Sequence, residues 1–139
     1  MPRLHTIVYV SHAEGKVSDA ELERILDVSR RNNARDGISG ALLHRDGSFM
    51  QCLEGDESLV RAAHERISQD ARHAGVMVLM DESIEERAFP SWSMAHLQPT
   101  ESEMLALTTA DWSSSAATNA GATARGFVAL RSFAERYRR

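Results

Sequence analysis

Chemistry in this chain falls to polar side chains at positions where a core should be apolar. Ser48 to Glu54 (SFMQCLE) alternates, with Phe49, Gln51 and Leu53 on one face and Met50, Cys52 and Glu54 on the other. If Phe49 and Leu53 face a core, Gln51 lies in it beside them. His5 to Ser11 (HTIVYVS) is also β-rich, and its alternation puts Ile7, Tyr9 and Ser11 on one face. Ser29 and Asn33 end a helical stripe that begins with Leu22, Ile25 and Leu26, so the stripe starts apolar and finishes polar. An unpaired buried polar group costs about 1–3 kcal/mol. Either Tyr9, Gln51, Asn33 and Ser29 satisfy one another, or they meet a polar ligand between helices and sheet. Burial geometry alone favours the internal network.

Three further groups invite a chemical reading. Trp92 and Met94 share a face of the alternating segment WSMAHL, a pairing more common in cores than at cofactors. Arg72 and His73 follow Asp70 at the end of a helical stretch, where basic residues complement the helix dipole. Cys52 and His44 could pair as nucleophile and base, but alternation turns Cys52 away from the inward face.

The elements that must position these residues are readable from pattern and caps. Ser18-Asp19-Ala20-Glu21 is a capping box that opens the first helix. Gly37 to Arg45 is a second strand, Asp46-Gly47 a hairpin turn, and Ser48 to Glu54 a third strand antiparallel to it. Gly55-Asp56 opens a second helix with Val60, Ala63 and Ile67 at helical spacing. Gly75 to Met80 is a fourth strand, and Trp92 to Leu97 a fifth after the Phe89-Pro90 turn. Thr100-Glu101-Ser102-Glu103 caps a short helix; residues 113–124 are small and polar, as in a flexible linker; a terminal helix follows. The order predicts an α+β fold: a ferredoxin-like β-α-β-β-α-β-β sheet, two long helices on one face, plus C-terminal helices. First and third strands should be central neighbours. The expected division is residues 1–98 as the main domain and 99–139 as a helical extension. Met104, Leu105, Phe127, Leu130 and Phe133 are candidates for contacts between copies.

At 139 residues the chain fits one domain, and its 42% apolar and 26% charged content is that of a soluble globule. Its single cysteine excludes an internal disulfide. No apolar run nears the roughly 18 residues of a membrane span, and the N-terminus lacks a secretory signal, so a cytoplasmic protein is expected. The net charge of −4 argues against sequence-independent nucleic-acid binding. The arginines between Arg125 and Arg139 read as a solvated helix face.

Taken together, these segments resemble the BLUF domains, sensors of blue light using flavin. The resemblance runs from Leu4 to Leu97. It rests on the strand with Tyr9 and Ser11, on Asn32-Asn33-Ala34-Arg35 with Ile38-Ser39-Gly40, and on Phe49-Met50-Gln51-Cys52-Leu53-Glu54-Gly55. Asp70-Ala71-Arg72-His73 and Arg87-Ala88-Phe89-Pro90-Ser91-Trp92-Ser93-Met94 complete it. All five in order are highly specific, and they reverse the preference for a purely internal polar network. Asn32 and Cys52 stand where some relatives carry histidine and tryptophan.

The resemblance implies roles for these residues. A noncovalent flavin, FAD by family habit with FMN or riboflavin as alternatives, would lie between the two long helices. Asn33 matches the asparagine at the flavin pyrimidine edge, and Asn32 a position lining the ring. Tyr9 matches the donor of an electron and then a proton, and Gln51 the glutamine between tyrosine and flavin. Trp92 and Met94 match fifth-strand residues that rearrange as the signal leaves. Arg72 and His73 match positions near the pyrimidine end and ribityl chain; Ile25, Ser29, Leu42, Phe49 and Ile67 match pocket-lining positions. A sensor of this kind would be no enzyme and would signal through a separate effector protein or a change in homo-oligomeric assembly. Two rivals remain: a light-blind interaction module on the same scaffold, and a small acyl-phosphate hydrolase. Against the latter, Ser11-His12-Ala13-Glu14-Gly15-Lys16 carries one lysine where an anion loop would be needed.

Overall fold

The computed structural model describes residues 4–13, 18–45, 47–69, 73–89, 94–110, 112 and 125–136. Strand β1 (Leu4–Ala13) leads into helix α1 (Asp19–Asp36), then β2 (Ser39–Arg45) and β3 (Ser48–Asp56). Helix α2 (Glu57–Ser68), β4 (His73–Ser83), β5 (Ala95–Leu97), α3 (Glu101–Thr108) and α4 (Arg125–Arg136) follow. The five strands form one sheet in the order β4-β1-β3-β2-β5. β1 and β3 are antiparallel neighbours in its interior, in a register that sets Tyr9 opposite Gln51. This is the expected ferredoxin-like order with one added strand.

Caps fix where the helices begin and end. Ser18 Oγ accepts from the Glu21 amide (3.1 Å), and the Glu21 carboxylate lies 3.3 Å from the Ser18 hydroxyl. Thr100 has the complete reciprocal box: its hydroxyl accepts from the Glu103 amide (3.1 Å), and its own amide donates to Glu103 Oε1 (2.8 Å). α1 stops at Gly37, whose φ of 67° is the left-handed conformation that glycine adopts at little cost.

β2 starts at Ser39, because Gly37, expected to open it, caps α1; β1 and β3 run slightly longer than expected, and two strands differ most. β4 runs on through Asp81, Glu82 and Ser83, a polar stretch without hydrophobic signal, because each pairs with β1 between His5 and Ile7. β5 is short: Met94 is a bend, the strand starts at Ala95, and Trp92 lies outside the described residues. β5 pairs in parallel with β2, Ala95 opposite Ala41 and Leu97 opposite Leu43.

Both faces of the sheet are covered. On the inner face, Leu22 and Leu26 of α1 and Val60 and Ala63 of α2 pack on Ile7, Tyr9, Leu42, Phe49 and Leu53. On the outer face, Met104 and Leu107 of α3, Trp112, and Leu130, Phe133 and Ala134 of α4 cover Val8, Ala41, Leu43, Met50, Cys52 and Met80. Met104, Leu130 and Phe133 are therefore buried within the chain and unavailable for contacts between copies. Leu105 is 62% exposed, and the Phe127 side chain lies outside the described residues. So do residues 113–124, the expected linker. Trp112 donates its indole N–H to the Leu107 carbonyl (2.8 Å), and its ring occupies the space that a side chain at Gly126 would need. Cys52 is fully buried beneath this layer, where burial drives its thiol well above the ordinary value, and His44 stacks on Phe49 instead. The two do not form a nucleophile pair.

Glu54 is a buried carboxylate that ties the segment after β4 to the sheet. Its Oε1 accepts from Phe89 N–H (2.6 Å) and the Ser39 hydroxyl (3.1 Å), and Oε2 accepts from Ala88 N–H (2.9 Å). Arg87 completes the latch by donating to Ser39 Oγ (2.8 Å), the Glu54 carbonyl (3.3 Å) and the Gly37 carbonyl (2.7 Å). Burial pushes the Glu54 carboxyl above its ordinary value, against the pull of these donors. Glu54→Ala leaves two backbone amides without an acceptor, so urea denaturation should show about 2–4 kcal/mol of lost stability. A loss below about 0.5 kcal/mol, the size of an ordinary surface substitution, would remove the latch from the account.

Candidate functional site

Antiparallel pairing and side-chain alternation bring the reactive residues to one place. Tyr9 and Gln51 are opposite each other and Leu42 is opposite Gln51, so the three project to the inner face in adjacent strands. Tyr9 O–H donates to Gln51 Oε1, and Gln51 Nε2 donates to the Met94 sulfur (3.4 Å). All three residues are buried. Burial drives the Tyr9 phenol far above its ordinary value, so it is a neutral hydrogen-bond donor at physiological pH.

Beside this chain of contacts lies a cavity of about 440 Å³ between α1, α2 and the sheet. That is within the roughly 300–1,000 Å³ of small-molecule sites. Ile25, Ser29, Asn32 and Asn33 line it from α1, Leu42, Phe49 and Gln51 from the sheet, and Ile67 from α2. Arg24, Val28, Ala63 and Arg66 line it too, and sequence reasoning missed them. On α1 the wall is the pairs 24/25, 28/29 and 32/33, a period of four that could have exposed Arg24 and Val28. The arginines were passed over because charge on a helix usually marks solvent. Arg66 is within 3.9 Å of Asp36, whose carboxyl is held below its ordinary value first by Arg35.

Met94 is held twice. Besides the contact from Gln51, its backbone carbonyl accepts from Arg30 Nε (3.0 Å), a residue that the sequence did not single out. Arg72 and Trp92 lie outside the described residues, as does the side chain of His73, whose backbone starts β4. No group of three His, Cys, Asp or Glu among the described residues could hold a metal ion. No helix among them is long and apolar enough to cross a membrane.

The walls suit a planar heteroaromatic ligand: apolar faces from Ile25, Val28, Leu42, Phe49 and Ile67, and polar groups from Ser29, Asn32, Asn33 and Gln51. Fold and site together define an α+β ligand-binding module with an oxidisable tyrosine hydrogen-bonded at the edge of its cavity. The model of one family, BLUF, sensors of blue-light using FAD, matches residues 4–95, and the chain belongs to that family. It is a flavin-binding, blue-light-sensing module, sensory rather than catalytic. The beta subunit of the photoactivated adenylate cyclase of Euglena gracilis is 39% identical over 104 residues, 74% of this chain and 12% of that one. The blue light- and temperature-regulated antirepressor of Escherichia coli K12 is 30% identical over 86 residues, 62% of this chain and 21% of that one. The chain thus spans a minor part of both relatives. Among solved structures, the dark state of BlrB, a BLUF protein, superposes with a TM-score of 0.69 at 34% identity, covering 76% of this chain and 80% of that one. The photo-activated state of BlsA gives 0.68 at 33%, covering 76% of each.

Asn33 is a buried amide on the cavity wall, so Asn33→Ala should weaken flavin binding by about 0.5–1.5 kcal/mol, up to roughly tenfold in Kd. Titration of the apoprotein with flavin, followed by fluorescence quenching, measures this. An unchanged Kd would place the amide outside the ligand's reach.

Proposed function

We propose that the chain is a cytoplasmic blue-light switch that holds FAD noncovalently and uses Tyr9 and Gln51 to convert excitation into a rearranged hydrogen-bond network. The observation that carries this reading is the continuous contact from Tyr9 O–H through the Gln51 amide to Met94, along one side of the cavity. The bound flavin supplies light absorption and a strong oxidant when excited. Tyr9 then gives up an electron from its ring and its phenolic proton along the bond to Gln51. On recombination both return to Tyr9, so no net oxidation remains. Gln51 carries a donor and an acceptor on one planar group, and the primary amide can exchange its two ends by rotation or tautomerisation. A rearranged Gln51 would lose its donation to the Met94 sulfur and present a different hydrogen-bonding pattern to a flavin held in the cavity, which would shift its absorption to the red.

Asn33 and Asn32 would hold the polar edge of the ring; Ile25, Ser29, Leu42, Phe49 and Ile67 would pack it; Arg72 and His73 would stand near the pyrimidine end and ribityl chain. Arg24 and Arg66 on the cavity wall favour a phosphorylated flavin over riboflavin, and the family's description favours FAD. Residues 1–98 act as the sensor and 99–139 as its relay to a separate effector protein, with self-association as part of the response. Relatives of which the match covers a minor part, a photoactivated adenylate cyclase subunit and a blue light- and temperature-regulated antirepressor, support signalling to an effector. Trp92 and Met94 would open the exit route.

Absorption before and after blue light, with mass spectrometry of the released cofactor, tests the whole reading. Tyr9→Phe and Gln51→Leu should keep the flavin and lose the reversible red shift. A normal light-minus-dark spectrum in either would remove that residue from the photochemistry. Hydrogen exchange should also change with light in α3 and α4, and Met94→Ala should abolish that change while leaving the red shift. Identical protection in light and darkness across residues 100–136 would rule out this exit route.

A further inference from the structure

We propose that His64 is a positioning residue for Tyr9, admitting its photo-oxidation when the imidazole is neutral and suppressing it when the imidazole is charged. This rests on the photochemical reading above and assigns it a residue outside the cavity. The His64 ring sits edge-on to the Tyr9 ring, with centroids 5.0 Å apart and planes inclined by 62°. The phenolic O–H is engaged by Gln51, so His64 is no proton acceptor for Tyr9 and acts on the ring itself. Tyr9 is fully buried and His64 half-buried, so water screens a charge at this distance only in part.

The surroundings leave His64 free to titrate. Among the described residues, Asp81 of β4 and Arg61 of α2 are the charged groups that act on it. Arg61 is itself engaged by Asp81 (2.9 Å) and Glu57 (2.9 Å), and Asp81 also meets His5 of β1. Among the described residues, the Ser68 hydroxyl also lies 3.4 Å from His64 Nε2. Burial holds the imidazole below its ordinary value, with Asp81 opposing the shift and Arg61 adding to it. His64 is therefore neutral at pH 7 and charges only in acid.

The sign of the effect follows. An electron that leaves Tyr9 ahead of its proton leaves positive charge on the ring. A cation at His64 raises the energy of that state and slows its formation; a neutral imidazole does not. The yield of the red-shifted form should fall about tenfold as pH drops through the His64 titration, a modest demand on a partly screened charge. The midpoint should lie below the ordinary histidine value of 6.5.

The experiment has two readouts on flavin-loaded protein, with occupancy checked at each pH. One is the red-shift yield from about pH 5 to pH 8, the range over which histidine changes charge. The other is the NMR titration of the His64 ring protons in darkness. The expected result is one shared midpoint in the wild type and a flat yield in His64→Phe, which retains a ring. His64→Gln, a second neutral side chain, should be flat as well. A pH-independent wild-type yield, midpoints that disagree, or an acid loss retained in both variants overturns the proposal for His64 and leaves the Tyr9 photochemistry intact. No red shift at any pH overturns the photochemical reading and this one together.

Discussion

Gln51 is a primary amide confined in an apolar layer, and much of the site follows from that confinement. It cannot shed its polar groups into water, so each must find a partner on the inner face. Tyr9 supplies the donor for Oε1 and the Met94 sulfur receives from Nε2. A thioether is a weak acceptor, which leaves one end of the amide poorly satisfied. A better acceptor presented by a ligand in the adjoining cavity would compete for it. The amide is held firmly on one side and loosely on the other, and a group held that way can have two arrangements of similar energy. The register of β1 on β3 makes this possible by setting Tyr9 and Gln51 opposite each other.

The rest of the inner face keeps the amide from solving its problem by moving. Leu42 and Phe49 flank Gln51, Leu26 and Ala63 close the layer from above, and the outer face is sealed by α3 and α4. Close-packed interiors switch between discrete arrangements and resist continuous deformation. The Glu54–Arg87 latch adds to this, holding residues 87–89 to β2, β3 and the end of α1. A change at Gln51 therefore meets close packing on the inner face.

Sequence periodicity exposed the centre of this arrangement and concealed its edges. Tyr9 and Gln51 were legible because a period of two puts them among core residues where polar groups are conspicuous. Ser29 and Asn33 were legible by the same conflict at helical spacing. Arg24, Arg30 and Arg66 were not, because an arginine on a helix looks like a solvated residue even when its head group reaches a cavity wall or a carbonyl. His64 was invisible for a related reason: its importance lies in its distance from Tyr9, across elements that no local pattern connects. Coverage of the outer face leaves a trace in the sequence. Met50 and Cys52 alternate with Phe49, Gln51 and Leu53, so β3 is apolar on both sides, as a strand with helices above and below should be. The length of β4 through Asp81-Glu82-Ser83 came from pairing with β1, which hydrophobic pattern does not record.

Met94 joins the two cores through its position in the chain. Its side chain is buried with the inner layer, while Leu97, three residues on, packs in the outer layer with Trp112, Leu130 and Phe133. β5 is the short parallel partner of β2, at the edge of the sheet, and is secured by fewer strand contacts than any interior strand. Met94 thus adjoins a strand that is held in the sheet by β2 alone and that meets the C-terminal helices through Leu97. Arg30 holds the Met94 carbonyl to α1, the helix that also forms one wall of the cavity. Met94 therefore stands where the cavity-lining amide of Gln51 and the cavity-wall helix α1 both reach it, next to the strand whose Leu97 packs in the outer layer.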